Sequence, residues 1–313
     1  MSSVVFLNGR FLQAEEASVS VWDGGWLHGA GLFETMRARY GRIFQLDAHL
    51  DRLAASARKL LVPLDRPDLP LTRDFDELLD RNGLSEARIR LTVTAGAMFE
   101  SPAGRTDADD STEQTDPPAD DVRPGLTVCA TASPVTEYRR EFAERGMTAA
   151  ISPYKLSPTD PLAGHKCTAH LPRLLALRNA HAKGCNEALW FTTTNLLAEG
   201  SISNVFLVRA HQLLTPPLDT PVLPGTTRAV VLELAKTAGI DAEQRALSID
   251  DLLDADEVFV TNSIMQVMPV CRVEKREIGT GQPGPITKRL REAFLQAVEI
   301  ECKGSVGDDE QTG

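Results

Sequence analysis

Three short segments in the second half of the chain contain the residue types that one covalent chemistry needs. Residues 164–166 read Gly-His-Lys, residues 197–204 read Leu-Ala-Glu-Gly-Ser-Ile-Ser-Asn, and residues 223–228 read Leu-Pro-Gly-Thr-Thr-Arg. A lysine supplies an amine for an aldehyde, a glutamate supplies an anion for a ring nitrogen, and a Gly-Thr-Thr turn supplies donors for a phosphate. Pyridoxal 5′-phosphate (PLP) carries all three of these groups, so the set predicts a PLP site.

Around these segments the sequence resembles the class IV (fold-type IV) PLP-dependent aminotransferase family. This family includes branched-chain aminotransferases, D-amino-acid aminotransferases and aminodeoxychorismate lyases. The resemblance covers nearly the whole chain, apart from an insertion at about 100–123 and the tail. It implies a two-domain fold of the α/β (α+β) class with PLP at the domain interface. It also implies a homodimer.

The resemblance assigns most of the cofactor contacts. Lys166 would form the Schiff base, because residues 161–166 match the family register and precede a helix, whereas Lys155 and Lys183 do not match it. Glu199 would keep the pyridine nitrogen protonated. The remaining contacts fall on a strand beside the cofactor and on a phosphate cup: Ser203, Asn204, Gly225, Thr226, Thr227 and Ser263.

Two further contacts rest on shorter matches. The motif His49-Leu50-Asp51-Arg52 implies that Arg52 binds the phosphate, and a guanidinium fork suits two phosphate oxygens. His170 stands close to a position where many relatives have tyrosine near the ring hydroxyl, so it is either a cofactor contact or a packed histidine.

The substrate side is less fully specified. Phe33 and Arg37 lie on the segment that lines the substrate in the family, and Arg37 faces either substrate or solvent. D-Amino-acid aminotransferases carry an Arg-x-His carboxylate trap, but residues 94–98 read Thr-Ala-Gly-Ala-Met. This departure counts against a D-amino-acid specialist, and only three tyrosines leave little for a Tyr-rich branched-chain pocket.

Composition excludes several classes of protein. The net charge of −11 and the pI near 5.1 argue against a nucleic-acid surface. No apolar run is long enough for a membrane span and no signal peptide is visible, so a cytoplasmic protein is expected. The five cysteines lack metal-ligand spacing, and Cys167, beside the lysine, is expected only to pack. No metal site is predicted.

The chain is long enough for two domains, and its patterning divides it accordingly. We expect an N-terminal α/β domain (1–132) with a flexible acidic insertion at about 100–123, a linker (133–140), a C-terminal PLP-binding domain (141–303) and a disordered tail (304–313). Strands are predicted at 4–12 with a turn at Asn8-Gly9, 18–22, 32–40, 42–46, 87–95, 125–131, 147–152, 187–191, 202–208 and 257–261. Helices are predicted at 47–61, 73–81, from near Pro172, 226–236 and 287–298.

One Gly-rich stretch requires an alternative reading. Gly29-Ala30-Gly31 has two glycines of a dinucleotide-binding loop, but Glu34 occupies the place of the third, and a strand rather than a helix is predicted to follow. A Rossmann domain is therefore rejected.

Three functions fit the predicted site. The first is a transaminase that moves an amino group between an amino acid and a 2-keto acid. The second is an aminodeoxychorismate lyase, which residues 262–270 resemble, whereas the stretch from the lysine to Glu199 resembles the aminotransferases. The third, a binding protein without turnover, does not explain why Lys166, Glu199, Arg52 and Thr227 occur together. The transaminase is therefore the favoured function.

Overall fold

The computed structural model describes residues 3–96, 125–136 and 138–304. They form a mixed α/β structure with two β-sheets, which confirms the predicted class. The chain divides into two compact units: Met1–Pro134 with Lys166–Ala169, and Val135–His165 with His170–Gly313. The lysine segment thus packs within the first unit, although it lies far along the chain. The acidic insertion predicted at about 100–123 and the tail beyond residue 304 lie outside the described residues.

The first unit, in its described part, is one antiparallel sheet with helices on one face. The strand order is β2-β1-β6-β5-β3-β4. Its elements are β1 (Val4–Leu7), β2 (Arg10–Gln13), α1 (Gly24–His28), β3 (Gly31–Arg39), β4 (Arg42–Ile43), α2 (Leu46–Lys59), α3 (Thr72–Arg81), β5 (Ala87–Thr94) and β6 (Thr127–Pro134).

Alternation along the strands decides which face of this sheet is buried. In β5 the apolar side chains of Ile89, Leu91 and Val93 recur at every second residue and belong to the core. Helices α2 and α3 cover that face with leucines, one alanine and one phenylalanine. Burying each large side chain of this kind contributes about 1.5–3 kcal/mol to the free energy of unfolding. Packing on this face therefore stabilises the two helices against the sheet.

Two tight turns confirm the predicted hairpins. Asn8 and Gly9 take positive φ angles of 48° and 80°, and Tyr40 and Gly41 take 53° and 74°. Successive positive φ angles give the turn whose twist matches paired strands, so β1–β2 and β3–β4 close directly.

The prediction of a strand at residues 18–22 is wrong. Residues 17–20 have no regular structure, and residues 21–22 form a turn. Val19 and Val21, two apolar side chains of this stretch, are both exposed. The next residue, Asp23, instead caps α1 by accepting from Gly25 N–H at 2.7 Å. The apolar pattern of this stretch therefore marks a surface and not a core face.

The second unit is built on a mixed sheet. In the described residues its strand order is β12-β11-β10-β13-β14-β7-β8-β9, with β15 paired to β14. Its elements are α4 (Arg140–Arg145), β7 (Met147–Leu156), α5 (Leu171–Ala182), β8 (Glu187–Thr192), β9 (Leu197–Gly200), β10 (Asn204–Arg209), β11 (Gln212–Thr215), α6 (Thr226–Thr237), β12 (Ala242–Gln244), α7 (Ile249–Leu253), β13 (Glu257–Asn262), β14 (Gln266–Val273), β15 (Arg276–Glu277) and α8 (Pro285–Lys303).

The sequence predicted the long elements of this unit and missed the short ones. Strands β9, β11, β12 and β15 are four residues or fewer, too short for a clear period. The strand predicted at 202–208 begins instead at Asn204, because residues 201–203 form a bend. The predicted site residues Glu199 and Asn204 lie on either side of this bend.

The described residues also bear on two predicted absences. None of their helices combines the length and the apolar character needed to cross a membrane. None of their His, Cys, Asp and Glu side chains gather into a group that could hold a metal ion.

Candidate active site

Lys166 lies on the edge of the first unit's sheet, beside the start of β3. Phe33 N–H donates to the Lys166 carbonyl at 2.9 Å, and Thr168 N–H donates to the Gly31 carbonyl at 2.8 Å. Strand β4 pairs only with the far end of β3, so the lysine segment occupies the edge that β4 leaves. Backbone pairing therefore fixes Lys166, even though it lies in an irregular segment.

The fit between this segment and β3 is close. The Thr168 hydroxyl donates to the Gly29 carbonyl at 2.7 Å. A Cβ at Gly31 would lie 2.9 Å from the Val93 carbonyl oxygen and 3.0 Å from the Thr168 hydroxyl, so Gly31 admits the segment only because it lacks a side chain. Cys167 is buried in the core of the unit, as predicted for a packing residue.

The Phe33 ring is contacted by two basic side chains. The Lys166 Nζ lies 4.6 Å from the ring centroid, and the Arg90 Cζ lies 3.4 Å from it. Burial, with a smaller effect of the Arg88 charge, lowers the pKa of Arg90 to about 10, so its guanidinium stays charged at neutral pH. Its Nε donates to the Thr92 hydroxyl at 3.1 Å, and in the described part of the chain it forms no ion pair.

Arg90 is a residue that the sequence reasoning missed. It lies on β5 opposite Thr35 of β3, on the face that also carries Phe33 and Thr92. The other face of β5 carries the core residues. The alternation of Arg88 and Arg90 with isoleucine, leucine and valine was the available signal: an arginine on a strand with one core face must point to the other face.

Glu34 points the opposite way from Phe33. Its carboxylate is buried on the helix-covered face and receives the Arg52 fork, with Nε to Oε1 at 2.8 Å and Nη2 to Oε2 at 2.5 Å. The His49 Nδ1 lies 2.8 Å from Glu34 Oε2. The helix α2 thus directs both members of the predicted motif onto one carboxylate of β3.

Electrostatics keeps this cluster in one protonation state. Burial raises the pKa of Glu34, but the Arg52 charge and the hydrogen bonds from His49 and Arg52 outweigh it and lower the pKa to about 2. Burial lowers the pKa of His49, and the charges of Arg52 and Lys166 act in the same direction. At neutral pH a neutral His49 therefore donates its Nδ1–H to an ionised Glu34.

Arg37 lies at the other end of β3. It is four residues beyond Phe33, about 13 Å along an extended strand. Its Nη2 lies 3.4 Å from the Glu86 carboxylate. The structure therefore brings Phe33 to Lys166 and does not bring Arg37 there.

Glu199 is the central side chain of the second unit's site. Its Oε1 accepts from the Arg173 Nη2 at 2.5 Å, and its Oε2 accepts from the Leu223 N–H at 2.9 Å. It lies on β9 and is buried. Glu199 is thus a strand residue whose two carboxylate oxygens both accept hydrogen bonds.

Asn204 and Gly225 lie directly beside this carboxylate. The Asn204 Nδ2 donates to the Leu223 carbonyl at 2.8 Å. A Cβ at Gly225 would lie 1.9 Å from the Asn204 Oδ1, so only glycine permits this approach. The next two residues, Thr226 and Thr227, are buried in the first turn of α6. Backbone N–H groups and partial positive charge at such a helix end attract a phosphate.

The other two predicted contacts lie at the same end of the sheet. The Ser203 hydroxyl donates to the buried carboxylate of Glu187 at 2.7 Å, so its proton is directed away from a ligand. Ser263 lies in the turn between β13 and β14, where the Asn262 Oδ1 accepts from the Ile264 and Met265 N–H groups at 2.9 and 2.7 Å. The Asn262 side chain also donates to the Ile202 carbonyl at 3.0 Å.

Glu187 accepts hydrogen bonds from the bend at residues 201–203 and so fixes its conformation. Its carboxylate accepts from the N–H groups of Ala188 and Ser201 at 2.8 and 3.0 Å as well as from Ser203. Burial raises its pKa, while these hydrogen bonds act in the opposite direction. Glu187 is a second residue that the sequence reasoning missed, and nothing in its apolar surroundings in β8 signalled the role.

His170 immediately precedes α5. Its carbonyl accepts from Leu174 N–H at 3.2 Å. The structure thus gives His170 a place at the start of a helix.

Comparison with known proteins identifies relatives of three kinds. The chain is 34% identical over 295 residues to a putative branched-chain-amino-acid aminotransferase of Methanocaldococcus jannaschii, covering 93% of this chain and 94% of the relative. It is 29% identical to the D-alanine aminotransferase of Bacillus licheniformis, covering 96% and 99%. It is 28% identical to the aminodeoxychorismate lyase of Bacillus subtilis, covering 95% of each chain.

A solved structure and a family model agree with these matches. The branched-chain aminotransferase of Thermoproteus uzoniensis, solved with norvaline, superposes with a TM-score of 0.81 at 28% identity, covering 97% of each chain. Another branched-chain amino acid aminotransferase of this fold was solved with pyridoxamine 5′-phosphate. Residues 31–273, which include Lys166, Glu199 and the first turn of α6, match the family model described as amino-transferase class IV. The chain therefore belongs to the class IV aminotransferase family, as the sequence resemblance predicted.

Proposed function

We propose that this protein is a PLP-dependent aminotransferase that moves an amino group between an amino acid and a 2-keto acid. The observation that carries the proposal is the placement of Lys166. Its backbone pairs with β3, so its amine lies over the Phe33 ring with the Arg90 cation on the same ring. The neutral amine of a lysine is the form that attacks an aldehyde.

The remaining polar groups fit the cofactor chemically. Glu199 supplies the anion for a protonated ring nitrogen, and the Thr226–Thr227 turn supplies donors for the phosphate. Arg52 contributes positive charge in the first unit, already oriented by Glu34. Bound PLP supplies a ring that accepts electrons when the Cα–H bond of a substrate breaks.

Three side chains would have distinct roles in the reaction. Lys166 would bind the cofactor, and its Nζ, once the substrate displaces it, would act as the base that takes the Cα proton and as the acid that returns it. Glu199 would accept a hydrogen bond from the ring nitrogen. Arg90 is a half-buried cation without an ion pair in the described residues, and we assign it to the carboxylate of an acidic substrate.

A lyase is the second candidate. The Bacillus subtilis lyase relative and the resemblance of residues 262–270 to lyases favour it. Such an enzyme would use the same lysine and the same glutamate but would need no keto acid. The stretch that surrounds Lys166 and Glu199 favours the transaminase.

A homodimer in the cytoplasm completes the proposal. The segment before β3 exposes Val19, Val21, Trp22, Trp26 and Leu27 together, and Trp26 is 77% exposed. A cluster of large apolar side chains in water favours burial against a second copy. The five cysteines are all free, which fits a reducing compartment.

Two measurements test the function. Borohydride should fix the cofactor to Lys166, while Lys155→Ala and Lys183→Ala variants are labelled as fully as the original protein. Labelling of either other lysine would refute the assignment.

The second measurement separates transaminase from lyase. Amino-acid turnover should depend strictly on added 2-keto acid. Sustained release of pyruvate and 4-aminobenzoate from aminodeoxychorismate alone would establish the lyase instead.

A further inference from the structure

The carboxylate of Glu199 is held from two sides by groups of its own unit. Arg173, in the first turn of α5, donates to one oxygen at 2.5 Å, and the Leu223 N–H donates to the other at 2.9 Å. Each carboxylate oxygen accepts up to two hydrogen bonds, so both keep capacity for a further donor. The two contacts therefore orient the Glu199 carboxylate and leave each oxygen able to accept a further hydrogen bond.

Arg173 is itself held in place. Its Nη1 donates to the Gly200 carbonyl at 3.0 Å, and its guanidinium lies 4.9 Å from the centroid of the Trp190 ring. The Trp190 Nε1 in turn donates to the Ser201 hydroxyl at 2.9 Å. An arginine fixed by a carbonyl, a carboxylate and an aromatic ring has few other conformations. Its fork is directed at the β9 strand and its following turn.

The Leu223 peptide links Glu199 to the start of α6. Its N–H donates to Glu199, while its carbonyl accepts from Asn204 at 2.8 Å. Gly225, two residues later, lies against Asn204 and begins the helix. A movement of the Glu199 carboxylate would therefore shift the loop that leads into the phosphate-binding turn.

We propose that Arg173 is a positioning residue for the cofactor ring, which acts through Glu199. Arg173 holds the Glu199 carboxylate in the orientation that receives the ring nitrogen, and the Leu223 peptide couples that orientation to the first turn of α6. The inference rests on the proposed PLP function. Its physical basis is preorganisation: a buried glutamate side chain that is already immobile loses no rotational freedom when the cofactor binds.

Charge supports the same role. Without a cofactor, a buried carboxylate with no cation beside it is costly. Arg173 is the cation beside Glu199 in that state, so the carboxylate already has its partner and its orientation before a cofactor binds. Arg173 does not act on a substrate carboxylate in this arrangement, because its two terminal nitrogens donate to Glu199 and Gly200.

Binding of two cofactors distinguishes this role from a merely structural one. The probes are PLP and its 1-deaza analogue, in which carbon replaces the ring nitrogen. Their dissociation constants are measured by equilibrium dialysis for the original protein and for Arg173→Met, which keeps a long apolar stem against Trp190. Arg178→Met is the matched control, because Arg178 lies on the same helix and is exposed.

We expect Arg173→Met to weaken PLP binding by about tenfold to a hundredfold, as for the loss of a hydrogen bond to a charged group. Binding of the deaza analogue should weaken by a clearly smaller factor, because it lacks the ring nitrogen that Glu199 receives and only the coupling through the Leu223 peptide to the first turn of α6 remains. Arg178→Met should change neither. Arg173→Lys, which retains the charge, should recover part of the PLP affinity and gives the same comparison if the methionine variant does not fold.

Two results would overturn the inference. Equal weakening of both cofactors would mean that Arg173 acts through the fold, and an unchanged PLP dissociation constant would mean that Glu199 needs no support. Failure of the original protein to bind PLP at all would instead refute the proposed function, and it is seen before any variant is made.

Discussion

Replacing Glu34 by glutamine should make the stability of this protein less sensitive to acid. Glu34 is buried between the Arg52 fork and His49, and its pKa falls from 4.5 to about 2 on folding. Such a shift contributes about 3 kcal/mol to the free energy of unfolding at neutral pH. Because the folded pKa is the lower one, this stabilisation is complete above pH 5 or so and is lost as the pH falls from about 4.5 towards 2.

The expected difference between the two proteins follows from these values. At pH ~7 the Glu34→Gln variant should be less stable by about 3 kcal/mol, since it removes an ionised partner from a buried arginine. By pH ~3 the original protein has lost about 2 kcal/mol of the Glu34 contribution, which the variant never had. The gap between them should therefore narrow to about 1 kcal/mol.

Urea unfolding followed by circular dichroism at several pH values measures this gap. The control is Glu86→Gln, because Glu86 pairs with Arg37 and Arg39 at a half-exposed position. Surface pairs of this kind contribute about 1 kcal/mol or less, so this variant should follow the original protein at every pH. Curves for Glu34→Gln and the original protein that stay parallel down to pH ~3 would refute the assigned protonation state of Glu34.

Three further predictions concern binding and assembly. Arg52→Ala should weaken PLP binding by roughly 2–5 kcal/mol in equilibrium dialysis, as for truncating one partner of a buried charge pair, and an unchanged affinity would remove Arg52 from the cofactor site. Arg90→Leu should raise the KM for the 2-keto acid by about tenfold to a hundredfold with little change in PLP affinity, and steady-state kinetics with equal KM values would exclude Arg90 from the substrate. Trp26→Glu should convert a dimer to a monomer in sedimentation velocity, whereas Glu16→Gln, outside the apolar segment, should not; a dimer that persists in Trp26→Glu would place the interface elsewhere.

The sequence predicted the fold wherever local pattern and tertiary role agree. The helix at 47–61 and the hairpin around Gly41 were confirmed because an apolar stripe and positive-φ turn residues are local signals. The strand at 18–22 was wrong because alternation reports one apolar face and not what covers it. Whether Val19 and Val21 meet a sheet or solvent depends on contacts distant in sequence.

The site was predicted by residue type rather than by contact. Motifs indicated Lys166 and Glu199. No local pattern reveals that Arg173 contacts Glu199 or that β3 pairs with the backbone of Lys166. Glu34 is the clearest case. Its neighbour Phe33 was assigned to the substrate side, and a strand's alternation places the two side chains on opposite faces, where Glu34 meets the Arg52 side chain.

The pairing of the lysine segment with β3 has a consequence for the order of events during synthesis. Thr168 and Gly29, which are joined by a hydrogen bond, are separated by 139 residues. At about 5–20 residues per second, the ribosome delivers the lysine segment roughly 7–28 s after the start of β3. Strands β4 and β5, which flank β3, have been synthesised by then. The edge of β3 with which the lysine segment pairs can therefore form before that segment leaves the ribosome. The nascent chain therefore acquires Lys166 only after the strand with which its backbone pairs.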